Sequence, residues 1–157
     1  MCASAEMRVG GGTHVVGIIG WPVEHSLSPA IHNAAFAEVG LDWVYVPLPV
    51  PPEDLRKALE GLVPLGFHGV NVTMPHKTDV SAQIESISED ARLLRAVNTI
   101  AVRAGELEGE NTDAPGFDRF LRRDAGFDPE GRTAIVYGAG GAARACALAL
   151  ARAGLAR

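Results

Sequence analysis

Residues 67–77, FHGVNVTMPHK, decide how the chain folds. Residues 67–73 read as a strand, with apolar Val70 and Val72 alternating with Asn71 and Thr73. Pro75 interrupts it and sits near the first position of a new helix, where a missing N–H costs nothing. A strand that passes into a helix through a polar turn is a building unit of α/β domains. Lys77 is the odd residue. It falls in the first helical turn, where the helix dipole disfavours a cation. It is either an ordinary solvated lysine or one placed to move a proton. Asn71 and Thr73 favour the second, because polar groups on a buried strand need partners or a ligand.

Working outward, residues 13–20, THVVGIIG, form a near-continuous apolar run suited to a buried parallel strand. A helix follows, with Ser28 as N-cap, Pro29 at its first position and Gly40 at its stop. Ile31, Ala34, Ala35 and Val39 share a face and are expected inward. Residues 43–50, WVYVPLPV, are a strand whose Pro47 and Pro49 point to a sheet edge or a strand end. A helix with Leu55, Leu59 and Leu62 inward comes next. Beyond Lys77 the pattern predicts a helix in SEDARLLRA, a strand over 97–103, a turn into a short partner strand, and a helix over 113–125. This β-α-β-α-β-α-β order predicts an α/β domain with a largely parallel sheet.

A second unit begins at Gly131. TAIVYGAGGAARACALALARAG reads as a strand, a glycine-rich turn and a long helix. Gly138, Ala139, Gly140, Gly141, Ala142 and Ala143 approximate the dinucleotide fingerprint G-x-G-x-x-G/A. The first glycine makes the tight turn, the second admits a pyrophosphate, and the last position packs helix on strand. Free N–H groups at the helix start bind phosphate.

Composition narrows the partners. The chain has 157 residues, 47% hydrophobic and 21% charged, with a formal net charge of −5. That is ordinary for a soluble globular protein, and without Lys/Arg clusters it argues against nucleic acid. No apolar run is long enough to span a membrane. Two cysteines, Cys2 and Cys146, suggest no disulfide framework and favour a reducing, cytoplasmic compartment. The five histidines lack metal-ligand spacing, so no metal is expected.

Other polar residues have two readings each. Ser26 and Ser28 flank a helix start. They are either a loop residue and a cap, or two hydroxyls that hold a small carboxylate. Asp113 is either an N-cap or the carboxylate partner of Lys77. Thr73, Asn98 and residues 111–113 all lie at or after strands, where open α/β folds bind ligands.

Taken together, HSLSP (25–29), NVTMPHK (71–77), AVNTI (96–100), NTDAPGF (111–117) and GAGGAA (138–143) resemble the shikimate dehydrogenase family across nearly the whole chain. The resemblance implies NADP-dependent interconversion of 3-dehydroshikimate and shikimate, on the route to chorismate and aromatic amino acids. It implies that Ser26 and Ser28 hold the substrate carboxylate. Thr73, Lys77, Asn98 and Asp113 would contact the ring hydroxyls, with Asn71 in support and Lys77 with Asp113 as the acid–base pair. Glu89 is a candidate near the cofactor, or simply a helix-start acid. A quinate or aminoshikimate dehydrogenase, or a non-catalytic shikimate-binding fragment, is the alternative. The partner is a small molecule, and monomer and homodimer stay open.

Three parts are implied: a flexible leader (1–12), a substrate domain (13–112), and a linker helix with the first strand–helix unit of a Rossmann-like NADP domain (113–157). Family members are longer, so that domain is expected to be incomplete. Residues 131–157 are expected to pack poorly alone or to lean on a neighbour, leaving a chain that binds shikimate weakly and turns over slowly or not at all.

Overall fold

A computed structural model describes residues 9–156. Residues 1–8 of the expected leader, Cys2 among them, and Arg157 lie outside the described residues. The fold is a six-stranded sheet with helices on both faces, in the strand order β2-β1-β3-β5-β6-β4. Its strands are β1 (His14–Gly20), β2 (Trp43–Pro49), β3 (Phe67–Val72), β4 (Ser86–Ile87), β5 (Thr99–Arg103) and β6 (Glu106–Glu110). β1 pairs in parallel with β2 and β3, and β4 in parallel with β6. β5 runs antiparallel to both β3 and β6. The α/β expectation holds, with three of five pairings parallel and a β5–β6 hairpin closed by Ala104-Gly105 at positive φ. β2 is an edge strand, one of the two places its prolines allowed.

The strand period of two splits the apolar residues between the faces. Ile18 packs with Val23, Tyr45 and Phe36 beneath helix α1 (Ser28–Glu38). Ile19 turns the other way, into the main core with Val70, Val72, Val80, Val97 and Ile100. Leu55, Leu59 and Leu62 of α2 (Leu55–Leu62) complete that core. Burying each of these side chains stabilises the fold by roughly 1.5–3 kcal/mol. α3 (Lys77–Ser81) and α4 (Glu89–Leu94) add Val80 and Ala91. The hydroxyl of Ser88 caps α4 by accepting from Ala91 N–H.

Several expectations are corrected. α1 does not turn its most hydrophobic stripe inward: Ile31 is 64% and Val39 66% exposed, and Pro29, His32, Asn33 and Phe36 are partly buried instead. The cause is the sheet edge. An edge strand leaves backbone groups unpaired. The Asn33 side-chain amide supplies both partners for Tyr45, accepting from its N–H at 2.8 Å and donating to its C=O at 2.9 Å. Ser28 is not the N-cap, since Leu27 occupies that place and Ser28 opens the helix. α3 starts at Lys77, two residues after Pro75. The helix expected over 113–125 divides into α5 (Asp113–Arg119) and a π-helical turn at Phe120–Asp124. The two-residue β4 was too short to show a period.

The largest correction concerns residues 133–139. They form no strand, and Ile135 is 93% exposed. A strand is a paired state, and among the described residues no strand pairs with them. α6 (Gly141–Arg152) does form, and it leans on its neighbours as expected. Ala145 and Ala149 pack against Leu94, Ala96 and Ala114, and Arg152 pairs with Asp90 at 2.6 Å.

Candidate active site

The strand directions gather polar residues at one pole of the sheet. β1 and β3 end there, β5 begins there, and β6 returns there. Backbone bonds lock these ends together. Val72 N–H donates to Asn98 O (2.8 Å), Val97 N–H to Lys77 O (2.8 Å), and Asn98 N–H to Glu110 O (3.0 Å). Lys77, at the start of α3, and Asp113, at the start of α5, are thereby brought face to face although 36 residues apart. The Lys77 ammonium donates to Asp113 Oδ2 at 2.7 Å, and the two side chains are 24% and 29% exposed. Such a charge-assisted bond in partial shelter is short and directional.

Asn98 organises the carboxylate. Its Nδ2 donates to Asp113 Oδ1 at 2.7 Å and to Thr112 Oγ1 at 3.0 Å, while its Oδ1 accepts from Thr112 N–H at 2.9 Å. Asn111, buried, donates to Ala96 O and accepts from Asp113 N–H, both at 3.0 Å. Asp113 is therefore not the N-cap of α5, a place that Thr112 takes. Both carboxylate oxygens face the cluster, one on a cation and one on an amide.

Around this pair, Asn71 joins the cluster by donating to Thr99 Oγ1 at 3.2 Å. Ser28 lies beside the Tyr45 phenol, which burial pushes up to about 12 against the opposing effect of the Ser28 hydroxyl. Ser26 Oγ accepts from Ser28 N–H at 3.2 Å. Thr73 follows β3, its methyl against Gly20, where any side chain would collide with it. Ser26, Ser28 and Thr73 make no bond to Lys77 or Asp113. Glu89 opens α4 near Arg152, whose pKa is raised first by its hydrogen bond to Asp90 and in part by the charge of Glu89. That is the far end of α6 from the glycine turn.

The glycine turn comes close to the pair. Gly138 has φ +125°, a conformation open to glycine, and Gly140 caps α6 without a side-chain acceptor. The first-turn N–H groups of α6 thus lack intrahelical partners and suit a phosphate. Gly141 sits so that a Cβ there would lie 3.8 Å from Lys77 Cδ and 3.9 Å from Ala96. Tyr45 and Thr99 join the site although the sequence did not single them out, and Cys146 lies close to it. Burial pushes the Cys146 thiol up, and the negative charge of nearby Asp113 adds to this. The available signal was a hydroxyl next to Asn98 at a strand start. No described helix is long and apolar enough to cross a membrane, and no group of three His, Cys, Asp or Glu among the described residues is placed to hold a metal.

Fold and site define an α/β domain with a Lys–Asp pair at its strand ends, facing a glycine-rich helix start. The family model for the shikimate dehydrogenase substrate binding domain matches residues 18–100. The chain belongs to the shikimate dehydrogenase family. It is 57% identical over 149 residues to a shikimate dehydrogenase (NADP(+)) of Rubrobacter xylanophilus, covering 94% of this chain and 52% of that protein. A crystal structure of a shikimate dehydrogenase in complex with NADP+ superposes with a TM-score of 0.88 at 45% identity, covering 92% of this chain and 50% of that one. The Listeria monocytogenes enzyme in complex with shikimate and NAD gives 0.88 at 39% identity, over 94% and 51%. The chain spans about half the length of the curated relatives it matches.

Proposed function

We propose that the chain carries the substrate-binding and acid–base part of an NADP-dependent shikimate dehydrogenase, acting in the cytoplasm on the shikimate route to aromatic amino acids. The observation that carries this reading is the Lys77–Asp113 contact at 2.7 Å, with Asn98 on the second carboxylate oxygen. When bound, NADP(H) supplies or accepts the hydride. The chain's own residues handle the proton. In ketone reduction, the Lys77 ammonium donates to the forming alkoxide oxygen, and Asp113 holds Lys77 in place. In shikimate oxidation, the pair takes the hydroxyl proton. Ser26 and Ser28 hold the substrate carboxylate at the start of α1. Thr73, Lys77, Asn98 and Asp113 contact the ring hydroxyls, with Asn71 in support. Gly138, Ala139, Gly140, Gly141 and Ala142 cradle the dinucleotide phosphates at the α6 start. Glu89, at the start of α4, is read as a solvated helix-start acid and not as part of that cradle.

The test is the initial rate of NADP-linked shikimate oxidation, with shikimate binding followed separately by calorimetry. Lys77→Ala is expected to lower kcat by roughly 10²–10⁴-fold, the usual contribution of a general acid–base group, with shikimate still bound. An unchanged kcat removes Lys77 from the chemistry.

A further inference from the structure

Side-chain hydrogen bonds extend from Asp113 well beyond its neighbours. Asn98 donates to Asp113 Oδ1 at 2.7 Å. Thr99 Oγ1 donates to Asn98 Oδ1 at 3.1 Å, Asn71 Nδ2 donates to Thr99 Oγ1 at 3.2 Å, and Tyr45 Oη donates to Asn71 Oδ1 at 2.7 Å. Every donor points the same way, towards the carboxylate.

That shared direction is forced from one end. A carboxylate accepts only, so Asn98 must present its NH₂ group to Asp113. Its Oδ1 is then left for Thr112 N–H, which would otherwise lose its acceptor. With Asn98 fixed, the Thr99 hydroxyl gives its only proton to Asn98 Oδ1 and must accept from Asn71. Asn71 then shows its carbonyl to Tyr45. A flipped amide at Asn98 would set two oxygens against each other. Chains of this kind polarise one another and strengthen bond by bond.

The far end is anchored. Tyr45 is 4% exposed, and its ring stacks on His32 at 4.4 Å and 3°. Its backbone is clamped on both sides by the Asn33 amide. The burial that pushes its phenol up to about 12 keeps the hydroxyl a donor at any working pH.

We propose that Tyr45 and Thr99 are positioning residues for the Lys77–Asp113 pair, acting through a one-way hydrogen-bond chain that fixes the Asn98 amide against the Asp113 carboxylate. The proposal rests on the acid–base reading of that pair, but its structural half can be judged without substrate. A purely packing role for Tyr45 predicts that loss of its hydroxyl leaves Asn98 unmoved.

The experiment follows the Asn98 side-chain amide by ¹⁵N NMR in the 157-residue chain, beside kcat and KM for shikimate oxidation. Tyr45→Phe and Thr99→Val each remove one hydroxyl and keep the shape. Both are expected to move the Asn98 NH₂ signals and to lower kcat by roughly 3–10-fold, with KM within about twofold. Thr99→Ser, which restores the hydroxyl, is expected to return both readouts to the parent values. Asn98 signals unchanged in both hydroxyl-free variants, or Thr99→Ser behaving as Thr99→Val, overturn the proposal. If Tyr45→Phe does not fold, the Thr99 pair decides alone. If the parent protein neither binds nor oxidises shikimate, the enzymatic reading fails, and the amide signals still decide whether the chain of bonds exists.

Discussion

Residues 67–72 and residues 133–139 are both short apolar runs that lead into a helix, yet only the first is a strand. β3 lies between β1 and β5, paired on both sides, with Val70 and Val72 in the core. The later run has no strand beside it, and its Ile135 faces solvent. The difference teaches that an apolar run proposes a strand and its neighbours dispose of the question. Local propensity is the same kind of signal in both; the pairing surface is present in one only.

The widest separation between the two regions is expected in hydrogen exchange. Amides of Val70, Val72 and Ile100 should be protected by a factor on the order of 10³ or more over those of residues 133–139. Equal protection would mean that the second run finds a partner in solution and would break the contrast. Next comes substitution. Leu59→Ala, in the main core, is expected to cost about 2–5 kcal/mol in urea unfolding, whereas Ile135→Ala should stay within about 0.5 kcal/mol. A large loss at Ile135 would show packing that the exposure denies.

The smallest effect probes the join. Arg152 holds the Asp90 carboxyl below its usual range, chiefly through their hydrogen bond. A lowered folded-state pKa gives stability that is present above the ordinary aspartate value of about 3.9 and is lost as pH falls through the folded value. Arg152→Ala should therefore lower stability slightly near neutral pH, limited by solvent access, and by less at pH 2. A loss of the same size at both pH values would assign the effect to the arginine stem and not to the ion pair.

Much of the fold was legible because its signals were local. Leu55, Leu59 and Leu62 recur at helical spacing and are buried, and Pro47 and Pro49 marked the edge strand. What the sequence hid depended on distant partners. The inward face of α1 was misread because hydrophobicity ranks Ile31 above Asn33, while the unpaired backbone of Tyr45 makes Asn33 the better inward residue. The Lys77–Asp113 meeting was legible through its motifs, and the geometry supplies the contact. Thr99 left a faint signal, a hydroxyl next to Asn98 at a strand start, whereas Tyr45 left none, because a hydroxyl in a strand looks alike whether it ends a chain of bonds or faces water.

The Ala104-Gly105 hairpin turn has a practical use that follows from strand direction. β5 leaves the polar pole and reaches this turn at the opposite end of the sheet, and β6 carries the chain back. A fluorophore or affinity handle grafted there would ride on the β5–β6 ribbon, at the opposite end from Lys77 and Asp113. It would label or immobilise the molecule without crowding the Lys77–Asp113 pair.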